Sequence, residues 1–423
     1  MVVEMPPAPA PEQRRRTSPF QHGEFRWLFG SNMSFFLGMG AMQILRPWLA
    51  FELTGSAMAL GIVSAAVAIP MLALAPLGGV LADRIERKRL ILSAQCVALL
   101  SEASILLLLL NGRLEFWHLV VLAGVMGCTF PMVMPARQAI VAEIVGRQML
   151  GKAVAIHMAG MNLTRVVGPA AAGMLIPLLG IEGVYALNLG LYVIAILAVL
   201  PLSKRPVKTS GPPESVLSNM RVGMRYMRDN PLVLQLLVFG LVPVFLAMPF
   251  QTLLVIFAND VWEVGAQGLG LLNASAGAGA VAGSVYVATR SNDATRLRLM
   301  IQSVVAFGLL LIAFGFCPWF APALALILIA NIFVSIFGTL NNASIQLLIP
   351  DSVRGRVSSF IMMSFSLSML GVLPVSAAAD AFGAPIALGA AAALAVAVSL
   401  VFYALSRRLR GLDDQVRSAV MHL

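Results

Sequence analysis

Twelve apolar runs, separated by short polar stretches, constrain this chain more than any motif in it. They fall at approximately 27–50, 57–81, 90–110, 117–140, 153–179, 183–202, 232–257, 266–289, 297–316, 320–349, 357–379 and 384–406. At about 1.5 Å of rise per residue, a helix of about 20 residues crosses a hydrocarbon core about 30 Å thick. Inside lipid the backbone must satisfy its own hydrogen bonds, so the segments are helices or the strands of a closed barrel. A barrel needs short alternating segments, and these runs are continuous. Only 11% of the 423 residues are charged, against about 25% in soluble proteins. The expected fold class is all-α integral membrane, with twelve transmembrane helices.

The basic residues set the orientation. Arg46, Arg137 and Arg165 lie within spans, and Arg113 follows span three. Every other Lys and Arg lies at the N-terminus, after an even-numbered span (Arg298 at the very start of span nine) or at the C-terminus. Positive residues stay on the cytoplasmic side, so both termini are expected there. The net charge of +10 therefore reflects topology and anionic headgroups rather than nucleic acid. Residues 1–24 are polar and proline-rich, with no apolar core for a signal peptide, and read as a disordered cytoplasmic tail. Cys96, Cys128 and Cys317 lie in or at the ends of apolar runs and read as small buried hydrophobes.

The longest hydrophilic stretch, 203–231, divides the spans six and six. Its SGPP segment is a break, and the Val and Met residues that follow, with Arg221, Arg225 and Arg228 on another face, predict an amphipathic helix on the inner surface. The expected units are an N-terminal half at 25–202, the linker at 203–231, a C-terminal half at 232–406 and a cytoplasmic tail at 407–423. The halves are weak repeats. Gly79 corresponds to Gly283, Gly151 to Gly355, and Pro169 sits near the register of Pro374. Two six-helix repeats rocking about a midplane site describe a transporter, and a non-transporting sensor has no need of the duplication.

One loop concentrates the polar chemistry. Gly79-Val-Leu-Ala-Asp83-Arg84-Ile-Glu86-Arg87-Lys88-Arg89 joins spans two and three. It resembles the signature loop of the major facilitator superfamily, with Glu86 where that family usually has glycine. The run Pro135-Ala-Arg137-Gln138, the segment VGRQMLGKAVA and the stretch Asn162-Leu-Thr-Arg165-Val-Val-Gly168-Pro169-Ala-Ala-Ala-Gly173 are similar to the branch that holds the enterobactin exporter and macrolide efflux proteins. The resemblance implies a conformational latch built from Gly79, Asp83, Arg84, Arg87 and Lys88, with Arg137 contacting the Asp83 loop. It also implies an antiporter-like bend at Gly168, Pro169 and Gly173, although the family's double glycine after Gly-Pro is replaced here by alanines.

Charges within spans need partners or a task. Counting from the span starts puts Glu102 and Arg165 at similar depth, so they are one candidate pair. In the resembled fold, spans one and five border the central cavity, which instead makes Arg46 and Arg165 a pair of cavity guanidiniums suited to a carboxylate. Glu102 is the candidate proton carrier. Gln43, Asn162, Asn341 and Asn342 are candidate cavity residues, with interhelical hydrogen bonding as the competing role. His157 is expected at headgroup level and Asp380 at the outer interface.

The sequence carries no P-loop and no Cys/His metal cluster, so neither an ATP motor, a cofactor nor a metal is expected, and the chain does not read as an enzyme. The expected activity is secondary transport, as a proton-coupled exporter of a siderophore or drug from the bacterial inner membrane. The partners are a small-molecule substrate, protons and membrane lipids, and the protein is expected to be a monomer. An importer or lipid flippase is the alternative, ahead of a membrane sensor.

Overall fold

The computed structural model describes residues 18–203, 216–290 and 295–421. Twelve spans account for nearly all of them. Span one is Gly23–Thr54, span two Ala57–Arg84 and span three Arg87–Leu110. Span four is Phe116–Gly146, and the helical stretch Met149–Val199 holds spans five and six. Gly146 (φ 69°) and Gly180 (φ 70°) break this continuous run at left-handed positions, a conformation that costs glycine little. A hydropathy reading finds spans five and six as separate runs because the glycine and Glu182 lie between them.

Span seven, Pro231–Val261, is interrupted by turn residues at 247–249 and ends in a π-helical turn. Pro243 and Pro249 each lack the N–H that a continuous helix would use there. Span eight is Gly265–Arg290, span nine Arg296–Gly315 and span ten Phe320–Leu348. Span eleven comprises Asp351–Leu370 and Val372–Phe382, and span twelve is Ala384–Leu405. The small residues of span eight permit its close approach to span ten. A methyl on Gly279 would meet the Leu328 carbonyl, and one on Gly283 the Ile332 carbonyl.

Three peripheral segments pack against the bundle, and of these the linker helix was expected. The polar leader is ordered from its last residues: Phe20 packs edge-on against Phe25 and Phe29, each with centroids 5.3 Å away. Residues 1–17 lie outside the described residues. The linker helix, Val216–Asp229, docks on the C-terminal half. A methyl on Gly223 would lie 3.0 Å from Phe360, Met227 is buried, and the Tyr226 hydroxyl donates to the Leu348 carbonyl at 3.3 Å. The C-terminal tail forms short helices, Arg407–Arg410 and Leu412–Met421, that bury Leu409, Leu412 and Val416. Asp413 there accepts the Leu297 N–H at 3.0 Å.

Candidate functional site

The polar residues inside the spans sort into two buried clusters and one open set. In the first cluster Arg46 of span one donates to Glu102 of span three. Glu102 is fully buried and Arg46 nearly so, with Tyr185 and Tyr192 of span six lying within electrostatic reach. Both expected pairings of these charges therefore fail. Arg46 does not share a cavity with Arg165, and Glu102 does not pair with Arg165. A guanidinium and a carboxylate buried within one half stabilise each other, and leaving either alone would be far costlier. Glu102 and Arg165 do lie at similar depth, 15 residues from Arg87 and 16 from Met149, but depth does not say which helix face each residue occupies.

The second cluster lies nearer the end of the bundle where span one begins. Arg137 of span four, with no exposed surface, donates to the Asn32 Oδ1 of span one. Its guanidinium carbon also sits 4.5 Å from the Phe35 ring centroid and 5.4 Å from that of Phe36. Asn32 Nδ2 lies 3.2 Å from His157 Nδ1 of span five. His157 is thus buried in the helix interface rather than at headgroup level. Nearby, Gln95 donates to the Ser31 hydroxyl at 2.9 Å, and that hydroxyl donates to the Ala195 carbonyl at 2.8 Å.

The open set faces the gap between the halves. Arg165 is exposed and, among the described residues, makes no hydrogen bond or ion pair. Its direction follows from its neighbours. On span five, Val166 packs against Gly277 of span eight, and Gly168 against Leu37 and Gly40 of span one. At 3.6 residues per turn, Arg165 projects between those two contacts, toward the space that spans one and eight enclose. Asn162, one turn below it, is exposed too. From Leu28 to Ala50 of span one, Gln43 is the one exposed residue. Asn342 of span ten is exposed, whereas Asn341 is buried against Gly240 of span seven with no hydrogen-bond partner for its Oδ1. Asn341 therefore belongs to packing within the C-terminal half, as does Asn331, which donates to its own helix at Ile327.

The bend residues of span five act through close approach. A methyl on Gly168 would sit 2.8 Å from the Leu37 carbonyl. One on Gly173 would sit 2.6 Å from the Gly270 nitrogen and 2.8 Å from the Ala266 carbonyl of span eight. Gly173 thus joins the two halves toward the end of the bundle away from the termini. A cavity of about 680 Å³ lies alongside, lined by Leu37, Ala41, Gly168, Leu175 and Leu187 and reaching Asn188. Its rim residues Leu179 and Leu187 are exposed, so it opens sideways rather than into the gap between halves.

At the loop between spans two and three, Gly79, Asp83 and Arg84 lie outside the described side chains. The neighbouring basic residues are secured within the N-terminal half. Arg87 pairs with Glu143 of span four. Lys88 Nζ donates to the carbonyls of Leu200 and Leu202 at 2.7 and 2.6 Å, at the C-terminal end of span six, where a cation is favoured. Glu86, in the place usually held by glycine, pairs with Arg89 at 2.9 Å.

The family profile described as transmembrane secretion effector matches residues 15–422. The chain belongs to that family, within the major facilitator superfamily. The transporter fold extends to solved structures. The nucleoside transporter NupG, in its D323A form, superposes with a TM-score of 0.74 at 14% identity, over 90% of this chain and 99% of that one. Among curated relatives, the multidrug efflux pump Tap of Mycolicibacterium fortuitum is 27% identical over 82% of this chain and 87% of its own length. The staphyloferrin A transporter of Staphylococcus aureus is 24% identical over 91% of this chain and 97% of its own. The enterobactin exporter of Shigella flexneri is 26% identical over 80% of each. This secretion-effector chain is accordingly a multi-pass membrane transporter of small molecules and not an enzyme.

Proposed function

We propose that this protein is a proton-driven exporter that carries an organic compound bearing an acidic group, a siderophore or an acidic drug, across the bacterial inner membrane. Arg165 carries the reading. It is a cation within a span, exposed toward the gap between the halves and without a partner among the described residues. A guanidinium there has a fixed fork of donors for a carboxylate or catecholate, and Gln43, Asn162 and Asn342 add neutral hydrogen-bonding groups. The family's description and the efflux and siderophore transporters among its relatives support export.

In this reading the six-span halves at 25–202 and 232–406 rock about that site, in a monomer with both termini in the cytoplasm. The loop from Gly79 to Lys88 serves as the cytoplasmic latch, with Asp83 and Arg84 exchanging partners as the halves move. Everted membrane vesicles with an imposed proton gradient test the proposal, using a catecholate siderophore, a macrolide and a cationic dye. Accumulation of the acidic compound, lost in Arg165→Ala, upholds it. Accumulation of the dye alone overturns the anionic site. Accumulation of none turns attention to import and lipid.

A further inference from the structure

Asn32 sits between a buried cation and a buried base, and its amide can face them in only one way. Arg137 donates to it, and a guanidinium has donors and no acceptor. The Asn32 oxygen must therefore face Arg137, which leaves the Asn32 NH₂ group facing His157 Nδ1 at 3.2 Å. An NH₂ group can only donate, so Nδ1 must accept. His157 is thereby held neutral, with its proton on Nε2. The arginine fixes the amide, and the amide fixes the imidazole.

Protonation of His157 cannot be absorbed locally. A proton taken from water onto the Nδ1 lone pair makes a second ring N–H and removes the acceptor. Two donors then oppose each other across the Asn32 contact. Rotating the amide would offer its oxygen to His157 but turn its NH₂ toward Arg137, which recreates the conflict there. One of the contacts must open. Among the described residues Arg137 is held otherwise only by the Phe35 and Phe36 faces, and its Nε and Nη2 have no hydrogen-bond partner. Among the described residues Arg137, from span four, is the one charged group facing His157; span one presents Asn32 and Phe36, neither titratable.

The cluster is placed to transmit the change. Asn32, His157 and Arg137 each stand eight or nine residues, or about 12–14 Å, from the cytoplasmic ends of spans one, five and four. Below Arg137 on span four is Glu143, the partner of Arg87 in the loop between spans two and three. We propose that His157, Asn32 and Arg137 form a proton-operated switch, in which one proton bound at His157 Nδ1 releases span four from span one and couples protonation to the cytoplasmic gate. Its coupling role rests on the proton-driven reading above; the switch itself does not.

Two measurements test it on the full-length protein. The first is nitrogen-15 NMR of histidine-labelled protein in lipid nanodiscs, with His157 assigned by its loss in His157→Gln. At alkaline pH, Nδ1 should be bare and Nε2 protonated. In Asn32→Asp, whose carboxylate can accept from both neighbours, His157 should titrate at least one pH unit higher. A proton on Nδ1 at alkaline pH, or an unmoved titration in Asn32→Asp, overturns the switch.

The second is vesicle transport of whichever panel compound the parent accumulates. His157→Gln should lose gradient-driven accumulation at least tenfold while keeping exchange without a gradient. Unchanged gradient-driven accumulation overturns the coupling role. A parent indifferent to the proton gradient overturns the proton-driven reading and the coupling role together, and the ring spectra then decide the switch alone.

Discussion

Asp380, near the C-terminal end of span eleven, caps the first turn of span two at Ala57. Its Oδ1 accepts the Ala57 N–H at 2.6 Å, while its Oδ2 accepts the Met58 N–H at 2.9 Å and the Ser56 hydroxyl at 2.6 Å. The two residues stand 323 positions apart, in opposite halves of the protein. One turn further in, a methyl on Gly61 would lie 3.1 Å from the Leu373 backbone. The halves are therefore closed together at this corner, on the side away from the termini that the proposal makes the outer one, and a carboxylate at a helix N-terminus is part of what holds them.

Removing the clasp should open the outer side without unfolding either half. Loss of an N-cap carboxylate costs about 0.5–2 kcal/mol, which lowers the ratio of closed to open by roughly 2- to 30-fold. Asp380→Ala, with spin labels at exposed Leu53 and Phe382, should show a new population at longer distance. A distance distribution identical to the parent's would mean that the clasp does not bias the outer gate.

The Arg46–Glu102 pair should behave as structure rather than as transport machinery. Breaking a buried pair costs about 3–5 kcal/mol, whereas replacing both members by apolar residues of similar size is often neutral. Glu102→Gln and Arg46→Met should each lower the unfolding temperature in detergent. The double variant Arg46→Met with Glu102→Leu should recover most of the loss and transport as the parent does. A stable double variant without transport would restore both residues to the mechanism.

Span number, span type and the six-plus-six division were legible in the sequence, because hydropathy and the Lys/Arg distribution report on the bilayer, which acts on every segment alike. Gly168, Gly173, Gly279 and Gly283 were legible as sites of close approach for a similar reason, since little but a missing side chain lets backbones come so near. The polar pairings were not. Arg46 and Glu102 are 56 residues apart and Asn32 and His157 are 125, and no periodicity specifies which face of one helix meets which face of another. Depth made Glu102 and Arg165 one candidate pair, and the rotation of spans one and five separated them. A buried histidine within a run of small and apolar residues, His157 in AVAIHMAG, was the one available hint of the second cluster.

Arg165 should matter to transport and not to folding. It is exposed and has no partner among the described residues, so Arg165→Ala leaves no buried charge behind, and its unfolding temperature should match the parent's. A hydrogen bond to a charged group contributes about 1.5–3 kcal/mol, so loss of the guanidinium should raise the concentration of acidic substrate needed for half-maximal transport by roughly 10- to 150-fold. Arg165→Lys keeps the charge but not the fork and should fall between the two. Equal impairment for a neutral macrolide would argue for a structural part instead.

Gly173 and Gly168 lie five residues apart on span five, yet substituting them should have different consequences. A side chain at Gly168 would press on span one, inside its own half. Gly168→Ala should therefore strain that bundle and lower its unfolding temperature. A side chain at Gly173 would press on Gly270 and Ala266, in the other half. Backbone atoms cannot rotate aside as a side chain can, so spans five and eight would have to separate. In the rocking proposed above, that separation is the movement that opens the outer side. Gly173→Ala should keep its unfolding temperature within a few degrees of the parent's and populate the outward-open state, which cysteine labelling at buried position 266 would report as faster modification in a Gly173→Ala, Ala266→Cys background than in Ala266→Cys alone. If Gly173→Ala instead unfolds as readily as Gly168→Ala and labels no faster, the Gly173–Gly270 contact is packing that the transport cycle never breaks.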